Sequence, residues 1–367
     1  MLIIFVQVSE TLQGKKFTLE EVVEFTDLIA EKLDSAIDKV DNINHKTHVL
    51  SVNASIEAAR AGTFGRPFGI VAANMSELSD ETIKITERMR KDTKEILEVG
   101  TLIKSQSKEY RGNRLSDLAL VNIDLIDRNL YERTADVRWW ATDGNVVDAL
   151  TKKTPEAYDL ASQRLNVILQ AYTVYYDLVL ADVDGNVVVN GNKSKYSSTN
   201  TNVANTKWFT SAMRTKSGSE FGFQSVNRCP LVNNDLAIVY SAAVREDGNT
   251  KGKIMGVLGV VFKWESLSQT IINHTPIDED EKKHTRICIA DDAGLILADS
   301  DGKMLKETLQ FDKKTSVFGE KKNYLFTDYA GTPCCIGHAL SPGFENYSTG
   351  WHSLIIQKLV NSSKSKS

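Results

Sequence analysis

Two groups of residues have types and spacings suited to binding. The first group combines aromatic side chains with a few polar ones, a mixture that suits the wall of a small-molecule pocket. Its members are Tyr175, Asp177, Lys207, Trp208, Phe209, Ser225, Asn227 and Tyr240. The second group places Asn53, Glu57 and Arg60 among alanines in one short stretch. Core packing is the alternative explanation for each aromatic residue. It explains the second group poorly, because a buried polar side chain without a partner is costly.

No arrangement of residues in the sequence predicts catalysis or metal binding. There is no GxSxG or HExxH motif and no glycine-rich phosphate loop, and the six histidines are scattered. The four cysteines lack metal-ligand spacing; they are Cys229, Cys288, Cys334 and Cys335. We therefore expect no enzyme activity, no metal and no cofactor, and we expect buried, reduced thiols. Adjacent Cys334 and Cys335 leave redox sensing or soft-metal binding open as an alternative.

Composition and charge restrict the class of protein further. The chain has 367 residues and is 41% hydrophobic, enough for two or three domains with their own cores. A formal net charge of −4 provides no basic field for nucleic acid, so nucleic acid is not expected as a partner. The first apolar run, residues 2–8, is too short to cross a membrane and lacks the basic start of a signal peptide. We therefore expect a cytoplasmic protein without a membrane span.

The second group of polar residues lies beside a bend in the N-terminal part of the chain. On both sides of Gly62 and Gly65, apolar and small residues alternate at spacings of four and three, which is typical of a coiled-coil seam. The predicted seam contains Leu33, Ile37, Val40, Asn44, Thr47, Ser51, Ala54, Ala58 and Ala61, then Val71, Met75, Leu78, Thr82, Ile85, Met89, Asp92, Ile96, Val99 and Ile103. Two nearly equal arms, each roughly 65 Å long at 1.5 Å per residue, predict an antiparallel helical hairpin.

Residues 43–79 resemble the signalling tip of methyl-accepting chemotaxis receptors. The resemblance rests on Asn53, Ala54, Ile56, Glu57, Ala58, Ala59, Arg60, Ala61 and Gly62, followed by Gly65, Arg66 and Phe68. In that family the tip binds a histidine kinase and its coupling protein, and it packs receptor dimers into trimers. The resemblance implies that the kinase or coupling protein contacts Val49, Val52, Asn53 and Arg60, and that trimer contacts involve Glu57 and Arg60. We also expect a homodimer, because one hairpin buries only part of its seam.

Several positions depart from the pattern of that family. His45 stands where an aromatic residue is central to the trimer contact, and Pro67 stands where Gly is usual. Lys46 and His48 replace a usual Gln and Asn. These departures weigh against trimer formation more than against partner binding. A purely structural hairpin, whose small residues only permit close packing, is the alternative interpretation.

Beyond the hairpin, the periodicity predicts a long helix and then two α+β modules. Apolar residues at helical spacing predict the helix over residues 114–141, and Gly112 weakens but does not forbid its continuity with the second arm. The period then changes to two, which predicts strands at residues 175–182, 187–190, 235–244, 254–264, 323–328, 334–340 and 351–357. The segment IADDAGLIL at residues 289–297 repeats LADVDGNVV at residues 180–188, so two copies of one module with an antiparallel sheet are predicted.

A long helix followed by two such modules is similar to the double Cache sensor domain, whose modules are PAS-like. The most recognisable pieces are Lys207-Trp208-Phe209 and the GVLGVV segment at residues 256–261. The resemblance implies that the first module binds a small molecule and that the bound ligand moves the long helix. The expected domains are a hairpin at residues 1–112, the long helix and first module at 113–278, a smaller second module at 279–360 and a disordered tail at 361–367.

The resemblance also bears on the class of ligand. Cache domains that bind amino acids use an Arg two residues before the Trp and an Asp in the GVxGV strand, and the matching positions here are Thr206 and Val261. Both charge-assisted bonds that define an α-amino acid are therefore missing. A less charged compound, a carboxylate held by Lys207 or a purine-like ring stacked on Trp208 remain open.

These patterns lead to one hypothesis with two alternatives. The hypothesis is a cytoplasmic, non-enzymatic transducer that senses a small molecule and regulates a chemotaxis histidine kinase. One alternative is a docking module that oligomerises with other receptors and has no kinase output; the other is an enzyme with a helical dimerisation arm. Glu20 and Glu21 form the pair best suited to adaptational methylation.

Overall fold

A helical hairpin begins the described part of the chain, residues 19–359 of the computed structural model. Helix α1 (Leu19–Arg60) and helix α2 (Arg66–Trp140) are joined by a short 3-10 turn, Gly62–Gly65. Gly62 has a φ of 59°, in the left-handed region that glycine adopts without strain. The antiparallel hairpin predicted from the sequence is confirmed.

Residues at every seventh position of both arms are buried in the hairpin. They are Val23, Ala30, Ile37, Asn44, Ser51 and Ala58 on α1, and Ala72, Ser79, Thr86, Thr93 and Gly100 on α2. Most of these side chains are small, which lets the helices approach closely. Asn44 Nδ2 donates a hydrogen bond to the backbone oxygen of Ser79 at 3.0 Å, and a Cβ at Gly100 would lie 3.4 Å from the Thr26 methyl group.

The predicted seam matches α1 except at Val40 and Ala61, which are exposed, and it is one residue out of phase on α2. On α2 the predicted positions are 55–60% exposed at Val71, Leu78, Ile85 and Val99. The buried residues are the ones that follow most of them in sequence, such as Ala72 and Ser79. The prediction was wrong because α2 carries two neighbouring stripes. Small and polar residues fill the contact with α1, while the strongly apolar stripe is left outside it.

Helix α2 continues without a break to Trp140, so the helix predicted at residues 114–141 is not separate from the second arm. By its internal contacts, the described chain divides into a unit of residues 19–111 and a unit of residues 112–359. None of the helices in residues 19–359 has both the length and the apolar character needed to cross a bilayer. The predicted tail at residues 361–367 and the start of the predicted hairpin domain, residues 1–18, lie outside the described residues.

The first module of the second unit is a five-stranded antiparallel sheet flanked by helices. Its strands are β1 (Tyr175–Asp182), β2 (Val187–Asn190), β3 (Gly222–Cys229), β4 (Asp235–Arg245) and β5 (Ile254–Lys263). They are arranged in the order β2-β1-β5-β4-β3. Helices α3 (Gly144–Lys152) and α4 (Pro155–Ala171) precede β1, and α5 (Lys207–Met213) precedes β3. Helix α4 starts with Thr154 as its N-cap and Pro155 in its first turn.

The second module repeats the topology of the first. Helices α6 (Trp264–Asn273) and α7 (Glu279–Lys282) lead into it. Its strands are β6 (Thr285–Ala290), β7 (Ile296–Asp299), β8 (Lys322–Tyr329), β9 (Thr332–Leu340) and β10 (His352–Lys358), in the order β7-β6-β10-β9-β8. A short helix, α8 (Lys314–Phe318), precedes β8. The predicted fold, an α+β chain with a helical hairpin followed by two antiparallel modules, is confirmed.

The internal repeat reflects one turn used twice. In each module an Asp carboxylate accepts a hydrogen bond from the backbone N–H four residues later, at 2.8 Å from Asp182 to Asn186 and 2.9 Å from Asp291 to Leu295. A glycine with positive φ closes each turn, at 82° for Gly185 and 91° for Gly294. The Asp and Gly of the repeated segment therefore serve to close the backbone turn.

Each module has a core on both faces of its sheet. In the first module one core faces α2, α3 and α4, and its members include Ile126, Leu150 and Leu165. The other core packs beneath α5 and includes Trp208 and Phe209. These two faces decide which of the predicted ligand-binding residues can lie together.

Candidate functional site

The hairpin tip is built around a close contact between Ala58 and Gly65. A Cβ atom at Gly65 would lie 2.0 Å from the carbonyl oxygen of Ala58, so the turn can close only with glycine at this position. Pro67 lies in the first turn of α2, where a missing N–H costs no helical hydrogen bond. The departure from the family pattern at Pro67 is therefore compatible with a closed tip.

The residues predicted to contact the kinase, its coupling protein or the other dimers of a trimer lie on one exposed face of α1. Their spacing of three and four residues places them on the same side of the helix, away from buried Ser51 and Ala58. They are Val49, Val52, Asn53, Glu57 and Arg60. Arg60 Nη1 lies 3.3 Å from Glu57 Oε2, and both side chains are nearly three-quarters exposed, at 73% and 74%. An ion pair this exposed contributes little to stability, so both groups are available to a partner.

Exposed aromatic side chains adjoin this face, and the sequence analysis did not single them out as binding residues. Phe64 is 89% exposed in the turn, and Phe68 is 70% exposed in the first turns of α2. A groove of about 770 Å³ beside them is lined by small side chains from both helices and by Ile70. The recognisable signal was a phenylalanine inside a Gly-x-x-Gly turn, where it has no core to enter. An exposed apolar patch bordered by charges suits protein docking.

In the first module, Trp208 and Phe209 pack against the sheet on the face covered by α5. A Cβ atom at Gly259 of β5 would lie 2.9 Å from the Trp208 ring, so the indole lies directly on the strand. Trp208 is only 2% exposed. Its backbone oxygen accepts a hydrogen bond from Ser241 Oγ at 2.7 Å. Because this indole is already covered, it offers little surface for a purine-like ring to stack on.

Tyr175 and Tyr240 lie on the opposite face of the same sheet. The hydroxyl of Tyr175 donates to Asp136 of α2 at 2.6 Å, and burial raises its pKa. The hydroxyl of Tyr240 lies 2.6 Å from that of Tyr347 in the second module. The structure therefore does not bring these two tyrosines together with Trp208 and Phe209. Strand alternation would place Tyr175 and Asp177 on the same face, but a register shift between them in β1 breaks that pattern.

The remaining predicted residues have mixed positions. Asp177 is fully buried and accepts hydrogen bonds from Asn190 Nδ2 and from the backbone N–H groups of Gly191 and Asn192, at 2.9–3.1 Å. Burial raises its pKa to about 6, although these hydrogen bonds act in the other direction. Asp177 thus anchors the segment after β2. Lys207 is exposed at the start of α5, and Ser225 and Asn227 are half-buried on β3.

On the face of the sheet covered by α5, a buried polar atom without a partner indicates a binding site more clearly than the residues predicted from the sequence do. Among the described residues, the Tyr196 hydroxyl is buried and has no hydrogen-bond partner. Its ring lies 6.5 Å from that of Tyr176, and Lys195 Nζ lies 5.2 Å from the Tyr196 ring. Lys263 Nζ lies 5.7 Å from the Tyr176 ring, and burial together with Lys195 lowers its pKa. The sequence signal for this residue is a lone tyrosine in the polar segment at residues 192–205.

No group of three His, Cys, Asp or Glu side chains in residues 19–359 is arranged to hold a metal ion. The side chains of Cys229, Cys288, Cys334 and Cys335 are buried, and burial raises the pKa of the Cys288 thiol.

Comparison with known families concerns the hairpin. Residues 7–112 match the model of the methyl-accepting chemotaxis protein (MCP) signalling domain. The chain is 39% identical to the methyl-accepting chemotaxis protein McpC of Bacillus subtilis over 79 residues, which is 22% of this chain and 11% of McpC. It is 32% identical to the biofilm dispersion protein BdlA of Pseudomonas aeruginosa over 93 residues, 25% of this chain and 20% of BdlA. The chain thus spans a fifth or less of these relatives.

Comparison with solved structures concerns the remainder of the chain. The ligand-binding domain of the Campylobacter jejuni chemoreceptor Tlp3, in complex with 4-methylisoleucine, superposes with a TM-score of 0.53 and 16% identity. The match covers 68% of this chain and 92% of that domain. The sensory domain of Tlp3 with isoleucine bound gives a TM-score of 0.52 over 68% of this chain and 93% of that one, at 16% identity. At this identity the likeness establishes the fold alone.

The two comparisons together define a class. The chain carries an MCP signalling domain at residues 7–112, and the part beyond it has the Cache-type fold of chemoreceptor ligand-binding domains. The chain is therefore similar to chemotaxis receptors in its hairpin, and beyond the hairpin it shares the fold of their ligand-binding domains. In sequence order the signalling hairpin comes before the sensor fold.

Proposed function

We propose that this protein senses a small molecule through its first module and regulates a chemotaxis histidine kinase through its hairpin tip. The observation that carries the proposal is the joining, in one chain, of an MCP signalling domain and a chemoreceptor-type sensor fold. Helix α2 runs unbroken from the tip to Trp140, so one helix belongs to both parts. Ligand binding needs to change the balance between two helix positions by only a few kcal/mol to act on the tip.

The ligand site we favour is the face of the first module that carries Tyr176, Tyr196 and α5. The unpartnered Tyr196 hydroxyl offers a hydrogen bond, and Lys195 and Lys263 supply positive charge nearby. Thr206 caps α5 through the backbone N–H of Phe209, and Val261 is a buried apolar residue. Neither position can supply the charged contacts of an α-amino acid. We therefore propose a small anionic ligand, such as a carboxylate without an α-amino group.

The experiment for this site is a thermal-shift screen of the full chain against small carboxylates. A binder raises the melting temperature with the logarithm of its concentration above its dissociation constant. We expect Tyr196→Phe, which removes only the hydroxyl, to weaken the best binder by about tenfold, since a lost hydrogen bond to a charged group is worth roughly 1.5–3 kcal/mol. Tyr158→Phe on α4 is the matched control. Equal binding by both variants would remove this face from the proposal.

The partners we propose for the tip are a chemotaxis histidine kinase and its coupling protein. The supporting observation is the exposed face formed by Val49, Val52, Asn53, Glu57 and Arg60, with Phe64 and Phe68 beside it. Apolar residues around a central arginine are typical of the residues that dominate binding energy at protein interfaces. Trimer contacts through Glu57 and Arg60 are a weaker part of the proposal, because His45 replaces the aromatic residue expected there.

A homodimer is the proposed assembly of the hairpin. The stripe of α2 that includes Val71, Leu78, Ile85 and Ile96 is 41–60% exposed, and apart from Asp92 it keeps the apolar spacing of a coiled-coil seam. Among the described residues, the buried Oγ of Ser79 and Nδ1 of His48 have no hydrogen-bond partner, and both residues line a cavity of about 460 Å³. A second hairpin would cover the apolar stripe and complete a four-helix bundle.

The competing function is a docking module that joins other receptors without a kinase output. The departures at His45, Lys46 and His48 favour it, since all three lie on α1 near the proposed kinase face. Capture of the kinase and coupling protein by the purified full chain separates the two functions. We expect capture by the wild type and loss of capture in Arg60→Glu. Capture of a second receptor's hairpin in the absence of both partners would favour the docking module.

A further inference from the structure

A continuous chain of hydrogen bonds runs through the interior of the second module. Asn323 Oδ1 of β8 lies 3.2 Å from His338 Nδ1 of β9, and His338 Nε2 lies 2.8 Å from His352 Nδ1 of β10. His352 Nε2 lies 3.0 Å from Asp292 Oδ1 in the turn between β6 and β7. His338 is fully buried and His352 is 2% exposed, whereas the Asp292 side chain is 87% exposed. The chain therefore starts in the core and ends in solvent.

An aromatic ring and three charged groups surround the two imidazoles. Phe318 of α8 stacks on both rings, with centroids 3.9 Å from His352 and 5.5 Å from His338. From the β6–β7 turn, the carboxylates of Asp292 and Asp291 act on His352. From α8, Lys314 Nζ donates to the backbone oxygen of Ala293 at 2.9 Å and lies 5.8 Å from the Phe318 ring. From β8, the Asn323 amide oxygen lies 3.2 Å from His338 Nδ1.

The neutral chain has one consistent arrangement of protons. The Asp292 carboxylate only accepts, so His352 must carry its proton on Nε2. His352 Nδ1 then accepts from His338 Nε2–H, which leaves the unprotonated His338 Nδ1 opposite Asn323 Oδ1 at 3.2 Å. Two acceptors then face each other, so we expect the Asn323 amide to turn its nitrogen towards His338 in the neutral chain.

One added proton reverses the direction of the two hydrogen bonds made by His338 without breaking either of them. His352 then carries protons on both nitrogens and forms an ion pair with Asp292, while His338 carries its proton on Nδ1 and donates to Asn323 Oδ1. All three hydrogen bonds are then made with Asn323 Oδ1 facing His338, as in the structure. A second added proton would place two N–H groups against each other across 2.8 Å. The arrangement thus accepts one proton and rejects another.

We propose that Asn323, His338, His352 and Asp292 form a site that binds a single proton and makes the second module sensitive to acid. Burial, with His352 as a further cause, lowers the pKa of His338 to about 3. Burial also lowers the pKa of His352, while Asp292 acts against that change. For a histidine whose folded pKa is lowered, the stabilisation is complete above the unfolded pKa of roughly 6.5 and is lost as the pH falls below it.

The position of this site connects it to α2. His352 is the first residue of β10 and follows the β9–β10 connection directly. That connection donates to the buried Asp127 carboxylate of α2, from Ser341 Oγ at 2.6 Å and from the Gly343 N–H at 2.8 Å. A charge that appears on His352 is therefore placed beside the segment that holds the second module to α2.

Nitrogen NMR of the histidine-labelled full chain tests the proposal, with exposed His274 and His284 as internal references. We expect His338 and His352 to be Nε2–H tautomers at pH 7.5 and to take up one proton between them, with a midpoint below that of the references. Asp292→Asn should lower this midpoint by roughly 0.5 pH units or more, because it removes the ion pair. Asp312→Asn, an exposed acid elsewhere in the module, should leave it unchanged.

Two outcomes would overturn the proposal. One is separate titration of both imidazoles at the midpoint of the references. The other is an equal effect of Asp292→Asn and Asp312→Asn. Both acids are exposed, so neither variant depends on refolding the core; His338→Gln serves only to assign the resonances.

Discussion

Single residues at the tip determine whether the hairpin can close. Gly65 is the clearest case, because the carbonyl oxygen of Ala58 occupies the space that a side chain would need. Gly69, one helical turn later, would place its Cβ at an ordinary distance of 3.8 Å from the Ala58 side chain. Two glycines that look alike in sequence therefore have different reasons for being there.

We expect Gly65→Ala to destabilise the hairpin by about 1–3 kcal/mol through backbone overlap. Gly69→Ala is the matched control and should stabilise it by roughly 0.5–1 kcal/mol, because Ala is the better helix former. Denaturant unfolding of the full chain, followed by helical circular dichroism, measures both. Equal effects of the two substitutions would show that the tip does not close as described.

Asp177 illustrates the same point in the first module. Because its carboxylate accepts two backbone N–H groups from the segment after β2, we expect Asp177→Asn to cost about 1–3 kcal/mol of unfolding free energy. Hydrogen exchange should also become faster at residues 190–196. Asp184→Asn, in the exposed turn between β1 and β2, is the control and should change stability by less than about 0.5 kcal/mol. Unchanged exchange in Asp177→Asn would mean that this carboxylate does not anchor the segment.

At the level of secondary structure, helix α2 carries two neighbouring stripes of residues with different roles. The buried stripe is small and polar, with Ala72, Ser79 and Thr86 facing α1. The exposed stripe next to it is strongly apolar. In the single chain, Ile85 is 59% exposed and Leu78 is 60% exposed. Exposed apolar surface of this kind favours association with a second chain.

We expect Ile85→Asp to abolish dimerisation while leaving the helical content of the hairpin largely intact. Placing a charge in an apolar seam opposes association through desolvation, and it does not disturb the contact with α1. Lys94→Glu, an exposed substitution about half a helical turn away around α2, is the control. Sedimentation velocity of both variants gives the result. A monomeric wild type, or a dimeric Ile85→Asp, would exclude this stripe as the interface.

Much of the element order could be predicted from periodicity. The hairpin followed from heptad spacing around Gly62 and Gly65, and the two modules followed from a repeated Asp and Gly turn. The phase of the α2 seam could not be predicted, because the apolar side chains were assigned to the contact with α1, and serine and threonine were assigned to solvent. Strand β3 and helix α3 were also missed. The half-buried edge strand β3 lacks a clear alternation of apolar and polar residues.

The candidate site was less predictable than the fold. Trp208 and Phe209 share a face, but Tyr175 and Tyr240 lie on the other side of the sheet, and a register shift in β1 obscured this from the sequence. Tyr196 and the pair His338 and His352 were not identified at all. Their importance comes from a buried hydroxyl and a buried hydrogen bond, and neither can be recognised without the three-dimensional contacts.

At the scale of the whole molecule, one chain joins a chemoreceptor-type fold to a signalling hairpin whose tip we propose to bind a kinase. Residues 112–359 contain the sheets and the proposed ligand and proton sites, and residues 19–111 contain the exposed partner face. Helix α2 is present in both units. The central claim is that the tip changes the activity of a chemotaxis histidine kinase.

The most direct test is the rate of kinase autophosphorylation with the coupling protein, in the presence and absence of the purified full chain. We predict that the wild type changes this rate several-fold, that Arg60→Glu removes the change and that Lys94→Glu retains it. The first substitution alters the exposed partner face, and the second alters only a solvent-exposed ion pair at 4.0 Å. A rate unaffected by the wild type, or altered equally by Arg60→Glu, would contradict the account.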